Sequence, residues 1–402
     1  MAKLLIRDLA QVVSPAGGHA PLRGAELREL AVVDDAYVLC EDGRVTSVGP
    51  MRELRGLDDD VEELDGRGRS AVPGLVDCHT HACFAGDRAQ EFDLRASGVS
   101  YGELHAAGGG ILSTVRAVRE AGEAGLTEAL ERHRRWMLAE GTTTFEAKSG
   151  YGLDHDTELE QLRVVRNAGG IPTWLGAHAV PPEFPDADAY LDYALAGVLP
   201  EAAGLAEAAD VFLEEGAFDA RQARRYLEAC RAAGLVLRLH ADQFTEAGGV
   251  PLAIELGARS VDHLEATGDD GVRDLGRSEV TAVVLPVAAL FLGRPMPPAR
   301  ALVDAGAIVA LATDFNPGSA FCERLPVAMT LACTQMHLAP AEALAACTVN
   351  AAHVLGRADR LGRIAPGYVA DVVLVEAPDW RYLAYHFAGD LIAAVVKDGW
   401  LA

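Results

Sequence analysis

The sequence has few cysteines, no long hydrophobic run and a shortage of basic residues. Its seven cysteines are scattered, odd in number and without a CxxC pair, which argues against a disulfide framework and favours a reducing compartment. No apolar run approaches the roughly 20 residues that a membrane span needs. Only 35 Lys and Arg residues stand against 59 Asp and Glu residues, and this net charge of −24 repels nucleic acid and anionic lipid. Because the first residues also lack a secretory signal pattern, we expect a soluble, cytoplasmic protein with no nucleic-acid or membrane partner.

Length and composition describe a large folded chain. Hydrophobic residues make up 50% of the 402 positions and charged residues 23%, which is close to the globular average and excludes a mainly disordered protein. The length fits two to three domains, or one barrel of about 250 residues with additions.

Both ends of the chain show strand patterns. Residues 36–49 contain two β-prone runs on either side of a Glu-Asp-Gly turn, which predicts a hairpin. Residues 368–375 and 391–399 are two further strand-like runs near the other end. Neither end is long enough to bury a core alone, so we expect them to pair in one small β-sandwich-like domain. The predicted domain boundaries are 1–68 and 366–402 for this small domain and 69–365 for the segment between them.

The middle of the chain alternates short apolar runs with longer amphipathic stretches. The candidate strands are Val72–Asp77, Thr142–Ala147, Pro172–Ala177, Asp210–Leu213, Leu235–Leu239, Ser260–His263, Val280–Leu285 and Ile308–Ala312. Buried strands that alternate with helices indicate a parallel sheet, and eight such units close into a (β/α)8 barrel of the TIM type. The predicted fold class is therefore α/β.

Polar residues follow most of these strands, at the end where a barrel builds its active site. His79 and His81 lie at i and i+2 after the first strand, so both side chains of an extended segment point the same way. His240 after the fifth strand and Asp314 after the eighth complete a set of imidazole and carboxylate ligands. This set suits zinc or a similar divalent metal with one position open for water.

The same motifs resemble those of a known family. The segment Pro73–His81, with His240 and Asp314, is similar to the amidohydrolase superfamily of metal-dependent hydrolases. Further segments resemble the imidazolonepropionase family within it: Phe84–Arg88, Ala107–Arg116, Glu146–Gly152, Leu175–Pro182, His240–Phe244 and Asp314–Ser319. The resemblance extends from about residue 70 to residue 355.

The resemblance implies an activity and a set of site residues. Members of this family open the ring of 4-imidazolone-5-propanoate with water and form N-formimidoyl-L-glutamate in histidine degradation. The implied cofactor is one divalent metal per subunit, zinc or iron, and the implied assembly is a homodimer. Arg88 offers a fork of donors for the substrate carboxylate. The other implied substrate contacts are Tyr151, His178, Gln243, Asn316, Gly318 and Ser319.

We expect a metal-assisted hydrolysis of a cyclic amide at this site. In this hypothesis Asp314 accepts the proton of the attacking water. His263 stabilises the charge that develops on the ring carbonyl, or relays the proton to the leaving nitrogen.

Gln243 is the residue that distinguishes the imidazolonepropionase hypothesis from a deaminase, its nearest alternative. Related deaminases carry Glu at this position and shuttle protons through it, whereas an amide hydrogen-bonds a ring but does not titrate near neutral pH. Some imidazolonepropionases also have Glu there, so the proton route stays open. A deaminase or another cyclic amidohydrolase remains one alternative. A barrel that binds a ligand without catalysis is a remote one.

Two further motifs have structural interpretations. Lys148 resembles the bridging lysine of two-metal amidohydrolases, but a buried lysine more often pairs with a carboxylate, and Glu146 is the nearby candidate. Glycines 108–110 lack the Lys and Ser or Thr of a phosphate-binding loop, so we expect a turn before a helix at Ile111–Glu120.

Overall fold

A computed structural model describes residues 3–18, 21–56, 61–99 and 109–402 of the chain. The helices, in chain order, are α1 (Ala89–Ala96), α2 (Ile111–Ala139), α3 (His155–Asn167), α4 (Ala187–Tyr193), α5 (Leu199–Ala202), α6 (Ala220–Ala232), α7 (Gly249–Leu256), α8 (Asp269–Gly276), α9 (Pro286–Leu292), α10 (Ala299–Asp304), α11 (Leu325–Gln335), α12 (Pro340–Ala346), α13 (Val349–Val354) and α14 (Tyr382–Tyr385). Short 3-10 helices cover Gly24–Arg28 and Met51–Glu53, and a π-helical segment covers Ala194–Val198.

The two ends of the chain form one sheet, as the strand patterns predict. Its strands, numbered in chain order with those of the barrel, are β1 (Lys3–Pro15), β2 (Leu30–Glu41), β3 (Arg44–Pro50), β4 (Glu62–Asp65), β5 (Ser70–Pro73), β14 (Val372–Val375), β15 (Ile392–Lys397) and β16 (Trp400–Leu401). The sheet order is β16-β15-β14-β5-β1-β2-β3, and β4 pairs with β1. The predicted hairpin is confirmed, because β2 and β3 pair antiparallel around Asp42 and Gly43, which both have positive φ.

The middle of the chain forms the predicted parallel barrel. Its strands are β6 (Leu75–Asp77), β7 (Thr142–Lys148), β8 (Ile171–Ala177), β9 (Ala208–Leu213), β10 (Val236–Ala241), β11 (Ser260–His263), β12 (Thr281–Val284) and β13 (Ile308–Leu311), paired in sequential order. The ring closes beyond the ends of β6 and β13, where Asp314 N donates to His79 O at 3.1 Å and His81 N donates to Phe315 O at 2.9 Å. Strand ends that are distant in sequence therefore meet at one mouth.

The predicted first strand, Val72–Asp77, is wrong as a single element. Ser70–Pro73 pairs with β1 and β14 in the terminal sheet, and only Leu75–Asp77 joins the barrel. Gly74 separates the two, and a Cβ on it would lie 2.3 Å from Thr143 Oγ1 and 2.8 Å from Asp371 Cβ. The backbone therefore passes between the two sheets at a point where only glycine fits.

The segment before the long helix lies partly outside the described residues. Gly108 is not among them, while Gly110, with φ of 74°, is the residue that precedes α2. The helix begins at Ile111 as expected, but it continues past Glu120 to Ala139, with a non-helical residue at Gly122. All seven cysteines are free thiols. In the described ranges, no helix combines the length and the apolar character needed to cross a membrane.

Candidate metal centre and substrate pocket

The four predicted metal ligands meet at the mouth of the barrel. Asp314 Oδ1 lies 3.5 Å from His79 Nε2 and 3.4 Å from His81 Nε2. The Nε2 atoms of His240 and His81 are 3.3 Å apart. All four side chains are buried. The barrel thus brings three imidazoles and one carboxylate from the ends of β6, β10 and β13 to one point.

The chemistry of this cluster fits a divalent metal ion. Ligand atoms of His79, His81 and Asp314 lie within 4.8 Å of one another, and so do those of His79, His240 and His263. His79 Nε2 and Asp314 Oδ1 are buried without a hydrogen-bond partner. A buried polar atom without a partner is costly, and a shared cation would satisfy both atoms. Burial opposes the charge of Asp314, but the nearby imidazoles of His79 and His81 outweigh it and hold its pKa well below the ordinary value.

Two metal-site histidines are backed by carboxylates that the sequence analysis did not assign to the site. His79 Nδ1 donates to Asp262 Oδ2 at 2.6 Å, and His240 Nδ1 donates to Asp210 Oδ1 at 3.0 Å. These bonds fix each ring so that its Nε2 atom faces the cluster. The available signal was an acidic residue inside an apolar strand, since a buried carboxylate needs a partner.

Lys148 connects these carboxylates below the site. Its Nζ atom lies 2.8 Å from Glu146 Oε1, 2.9 Å from Asp210 Oδ2 and 3.9 Å from Asp262 Oδ2. Arg238 adds a second cation, 3.1 Å from Glu146 Oε1. The expected pairing of Lys148 with Glu146 is therefore present, and the lysine is saturated by protein carboxylates. Burial opposes its charge, but Asp210 and Glu146 outweigh it and raise the pKa of Lys148.

His263 lies beside the cluster rather than across from it. Its ring centroid is 5.4 Å from that of His240 and 5.8 Å from that of His79. Its Nδ1 atom donates to Glu265 Oε1 at 3.2 Å, which leaves Nε2 for another partner. His263 has φ of 85°, a left-handed conformation that is strained for a residue with a Cβ. The backbone is held in this conformation at the end of β11, next to the site.

Two of the expected substrate contacts flank His81. His178 stacks on His81 with ring centroids 5.2 Å apart, and Tyr151 lies 5.8 Å from His81 and 5.3 Å from His178. His178 Nδ1 donates to Gly150 O at 2.9 Å. Burial raises the pKa of Tyr151 and lowers that of His178, so both side chains are neutral. Both aromatic side chains therefore lie directly beside a predicted metal ligand.

Arg88 packs on the turn that follows Asp314. A Cβ on Gly318 would lie 2.1 Å from Arg88 Nη1, so the guanidinium lies directly on this glycine. Arg88 also donates to Glu91 Oε2 from Nε at 2.8 Å and from Nη2 at 2.6 Å. Asn316 Oδ1 accepts the backbone N–H groups of Gly318 and Ser319 at 2.8 and 2.7 Å. This Asx-type turn sets the backbone against which Arg88 packs.

Comparison with known proteins agrees with this geometry. A family model described as the amidohydrolase family matches residues 70–401. The imidazolonepropionase of Rubrobacter xylanophilus is 60% identical, with 99% of this chain and 98% of that protein covered. The imidazolonepropionase of Chloroflexus aggregans is 44% identical, with 98% and 97% covered. The chain belongs to the imidazolonepropionase family of amidohydrolases.

Solved structures of more distant proteins share the fold. N-isopropylammelide isopropylaminohydrolase from Burkholderia multivorans superimposes with a TM-score of 0.70 at 22% identity, covering 100% of this chain and 98% of that one. An adenosine deaminase from Xanthomonas campestris with bound zinc gives a TM-score of 0.68 at 18% identity, with 100% and 92% covered. At these identities the comparison shows the barrel and the terminal sheet alone.

In this member of the imidazolonepropionase family, the residues expected at the site lie at one end of the barrel. Gln243 is buried two residues beyond the end of β10, the strand that carries His240. Sequence reasoning missed Glu91, the carboxylate that pairs with Arg88. Its signal was weak, because an acidic residue three positions after an arginine in a helix is usually a solvated surface pair.

Proposed function

We propose that this chain uses His79, His81, His240 and Asp314 to hold one zinc or iron ion, and that it opens the ring of 4-imidazolone-5-propanoate with water. The product is N-formimidoyl-L-glutamate, an intermediate of histidine degradation. The convergence of three imidazoles and one carboxylate, with the part-buried guanidinium of Arg88 on the turn that follows Asp314, carries the proposal. A cyclic amide with an acidic side chain needs this combination of groups.

The metal ligands set the place of attack. When bound, a divalent ion supplies Lewis acidity that makes water a stronger nucleophile near neutral pH. Asp210 and Asp262 keep His240 and His79 in the tautomer that would leave Nε2 free to hold a metal ion.

Asp314 is placed to take the proton of the attacking water. Its Oδ1 atom faces His79 and His81, while Oδ2 lies 3.4 Å from Ser319 Oγ. The carboxylate is ionised before the reaction because its pKa is lowered. It therefore accepts a proton as the bond to the ring carbonyl carbon forms.

His263 stabilises the developing charge on the ring oxygen. Glu265 accepts from Nδ1 and, against the cost of burial, raises the pKa of His263, which favours the imidazolium with a second proton on Nε2 to donate. A donor fixed in advance stabilises the transition state without reorganisation. Gln243 hydrogen-bonds the ring, and His263 then supplies the proton route to the leaving nitrogen that an amide lacks.

Arg88, packed on Gly318, binds the propionate. Nε and Nη2 of Arg88 donate to Glu91, so its Nη1 end is the part that binds the carboxylate, and the missing side chain at position 318 makes room for this guanidinium. Tyr151 and His178, which lie beside His81, contact the imidazolone ring, and Asn316 and Ser319 shape the turn on which Arg88 packs.

One incubation tests the proposed reaction. Metal-loaded protein and 4-imidazolone-5-propanoate are analysed by mass spectrometry, with an ammonia assay in parallel. We expect a product heavier by one water, no ammonia, and no turnover in a chelated control. Ammonia release would establish a deaminase instead. Absence of turnover by folded, metal-loaded protein would overturn the proposed substrate.

The chain's compartment and assembly belong to the same proposal. Seven free thiols fit a reducing cytoplasm, and family membership favours a homodimer. Light scattering during size-exclusion chromatography tests the dimer, which requires a mass near twice the 42.4 kDa of one chain.

A further inference from the structure

One buried acid outside the metal site organises the loop that carries Tyr151. Glu158 lies one turn into α3, and its side chain is 1% exposed. Its Oε1 atom accepts the backbone N–H groups of Gly150 at 3.0 Å, Gly152 at 2.9 Å and Leu153 at 2.9 Å. Three amides on both sides of Tyr151 therefore converge on one carboxylate oxygen.

The loop backbone is shaped around this carboxylate. Gly150 and Leu153 have φ of 96° and 53°, and these left-handed residues turn the successive N–H groups inward. A concave set of N–H groups is an anion-binding nest, here filled by a side chain of the same protein. A Cβ on Gly152 would lie 2.6 Å from Glu158 N, so the loop lies directly against the helix. Without the carboxylate, buried donors would have no partner.

The same loop holds both aromatic side chains that lie beside His81. Tyr151 lies between two of the bonded amides, and the carbonyl of Gly150 accepts from His178 Nδ1 at 2.9 Å. A displacement of Gly150 would therefore move the Tyr151 ring and the His178 ring together.

We propose that Glu158 is a positioning residue for the substrate, acting through the backbone of residues 150–153 on Tyr151 and His178. The inference rests on the proposed function, because the substrate contacts of Tyr151 and His178 belong to it. A purely structural acid would change the stability of the protein and leave substrate affinity alone.

Steady-state kinetics of three variants separate these roles. We expect Glu158→Ala to raise KM by about tenfold or more, as the loss of one well-placed hydrogen bond does, with metal content unchanged. Glu158→Gln keeps an acceptor oxygen for the three amides and should recover most of the affinity. Glu160→Ala is the matched control, since Glu160 lies two residues further along α3 and is only half-buried.

A double-mutant cycle tests the route of the effect. If Glu158 acts through Tyr151, the double variant should show a smaller fold-increase in KM than the product of the increases in the two single variants, Glu158→Ala and Tyr151→Phe. Fully multiplicative effects, or an unchanged KM in folded Glu158→Ala, would overturn the proposal. If Glu158→Ala does not fold, Glu158→Asp replaces it, because one methylene less pulls the carboxylate away from the amides.

Hydrogen exchange gives a readout that needs no substrate. The amides of Gly150, Gly152 and Leu153 should exchange faster in Glu158→Ala than in the wild type, with the amides of β10 unchanged. Equal protection in both proteins would refute the positioning role. Absence of turnover in the wild type, with this exchange difference present, would instead refute the proposed reaction.

Discussion

Lys148 Nζ lies 2.9 Å from Oδ2 of Asp210, the carboxylate whose Oδ1 accepts from His240. The ammonium group therefore contacts the carboxylate that supports His240, a proposed metal ligand. It also lies 3.9 Å from Asp262 Oδ2, which accepts from His79. One buried cation thus helps to orient the carboxylates behind two of the predicted metal ligands.

Lys148→Met should destabilise the protein and weaken metal binding. Breaking a buried ion pair leaves uncompensated carboxylates and costs about 3–5 kcal/mol. Loss of orientation behind the ligands should lower metal affinity by about 10–100-fold. Thermal unfolding and chelator competition measure the two effects. Lys397→Met is the control, because its partly exposed pair with Asp371 should contribute only about 1 kcal/mol or less.

Asp314→Asn should fold and retain part of its metal, yet lose turnover. An amide can still supply one oxygen ligand, but it cannot accept the proton of the attacking water. We expect kcat to fall by about 10²-fold or more, the scale of a lost general base. Metal analysis with kcat measured on the same sample is the check, and turnover near the wild-type rate would contradict the assigned role.

Arg88→Lys should weaken binding of the acidic substrate. A lysine keeps the charge but loses the planar fork that matches a carboxylate. We expect kcat/KM to fall about 10–100-fold, mainly through KM, in line with one charged hydrogen bond. An analogue without the carboxylate should be turned over equally by both proteins. Arg132→Lys, a surface change beside Trp136, is the control variant.

Gly318→Ala should act through Arg88. The new Cβ would lie 2.1 Å from Arg88 Nη1, so the guanidinium must move away from the turn. The end of a flexible side chain can move, so we expect a normal melting temperature and a higher KM. Gly56→Ala is the control, because no atom lies within 4 Å of its added Cβ. An unchanged KM in Gly318→Ala would place the substrate carboxylate elsewhere.

The stability of the folded protein should fall as pH rises, because of Glu158. Burial raises its pKa from 4.5 to about 7, despite hydrogen bonds from Leu153, Ser149 and Gly152 that lower it. A raised carboxyl pKa means that the stability contribution is full below pH 4.5 and is lost as pH rises through 7. Denaturant unfolding of the wild type, measured against Glu158→Gln at pH 5 and pH 8, should show a relative loss of roughly 3 kcal/mol at pH 8. A constant difference across this range would contradict the shift.

Sequence patterns predicted most of the architecture because the information is local. Seven of the eight barrel strands lie where the sequence shows apolar runs. The predicted metal ligands stand at or just after the ends of such strands. The prediction of a single strand over Val72–Asp77 was wrong, because both halves of this segment are apolar and the hydrophobic pattern does not show a break between them. Only the crowding at Gly74 shows where the chain leaves one sheet for the other.

The carboxylates behind the histidines could not be predicted in the same way. His79 and Asp262 are 183 residues apart in the chain, yet their side chains hydrogen-bond. In the sequence, Asp210 is not distinguishable from an ordinary strand residue. Only the pairing of β9 with β10 brings its carboxylate to His240. The sequence likewise suggests that Glu91 and Glu158 are solvent-exposed acids on helices, because their partners are visible only in the folded structure.

The sequence by itself determined the kinds of groups present and the strand ends at which they occur. An HxH pair, one histidine and one aspartate at separate strand ends already indicate a divalent-metal site, and the resemblance of the surrounding motifs to a known family adds the hydrolase activity. Tertiary structure alone decided which carboxylate supports which imidazole, where Lys148 lies and how Arg88 meets Gly318. These pairings depend on the closure and register of the barrel, which bring distant strand ends within hydrogen-bond distance.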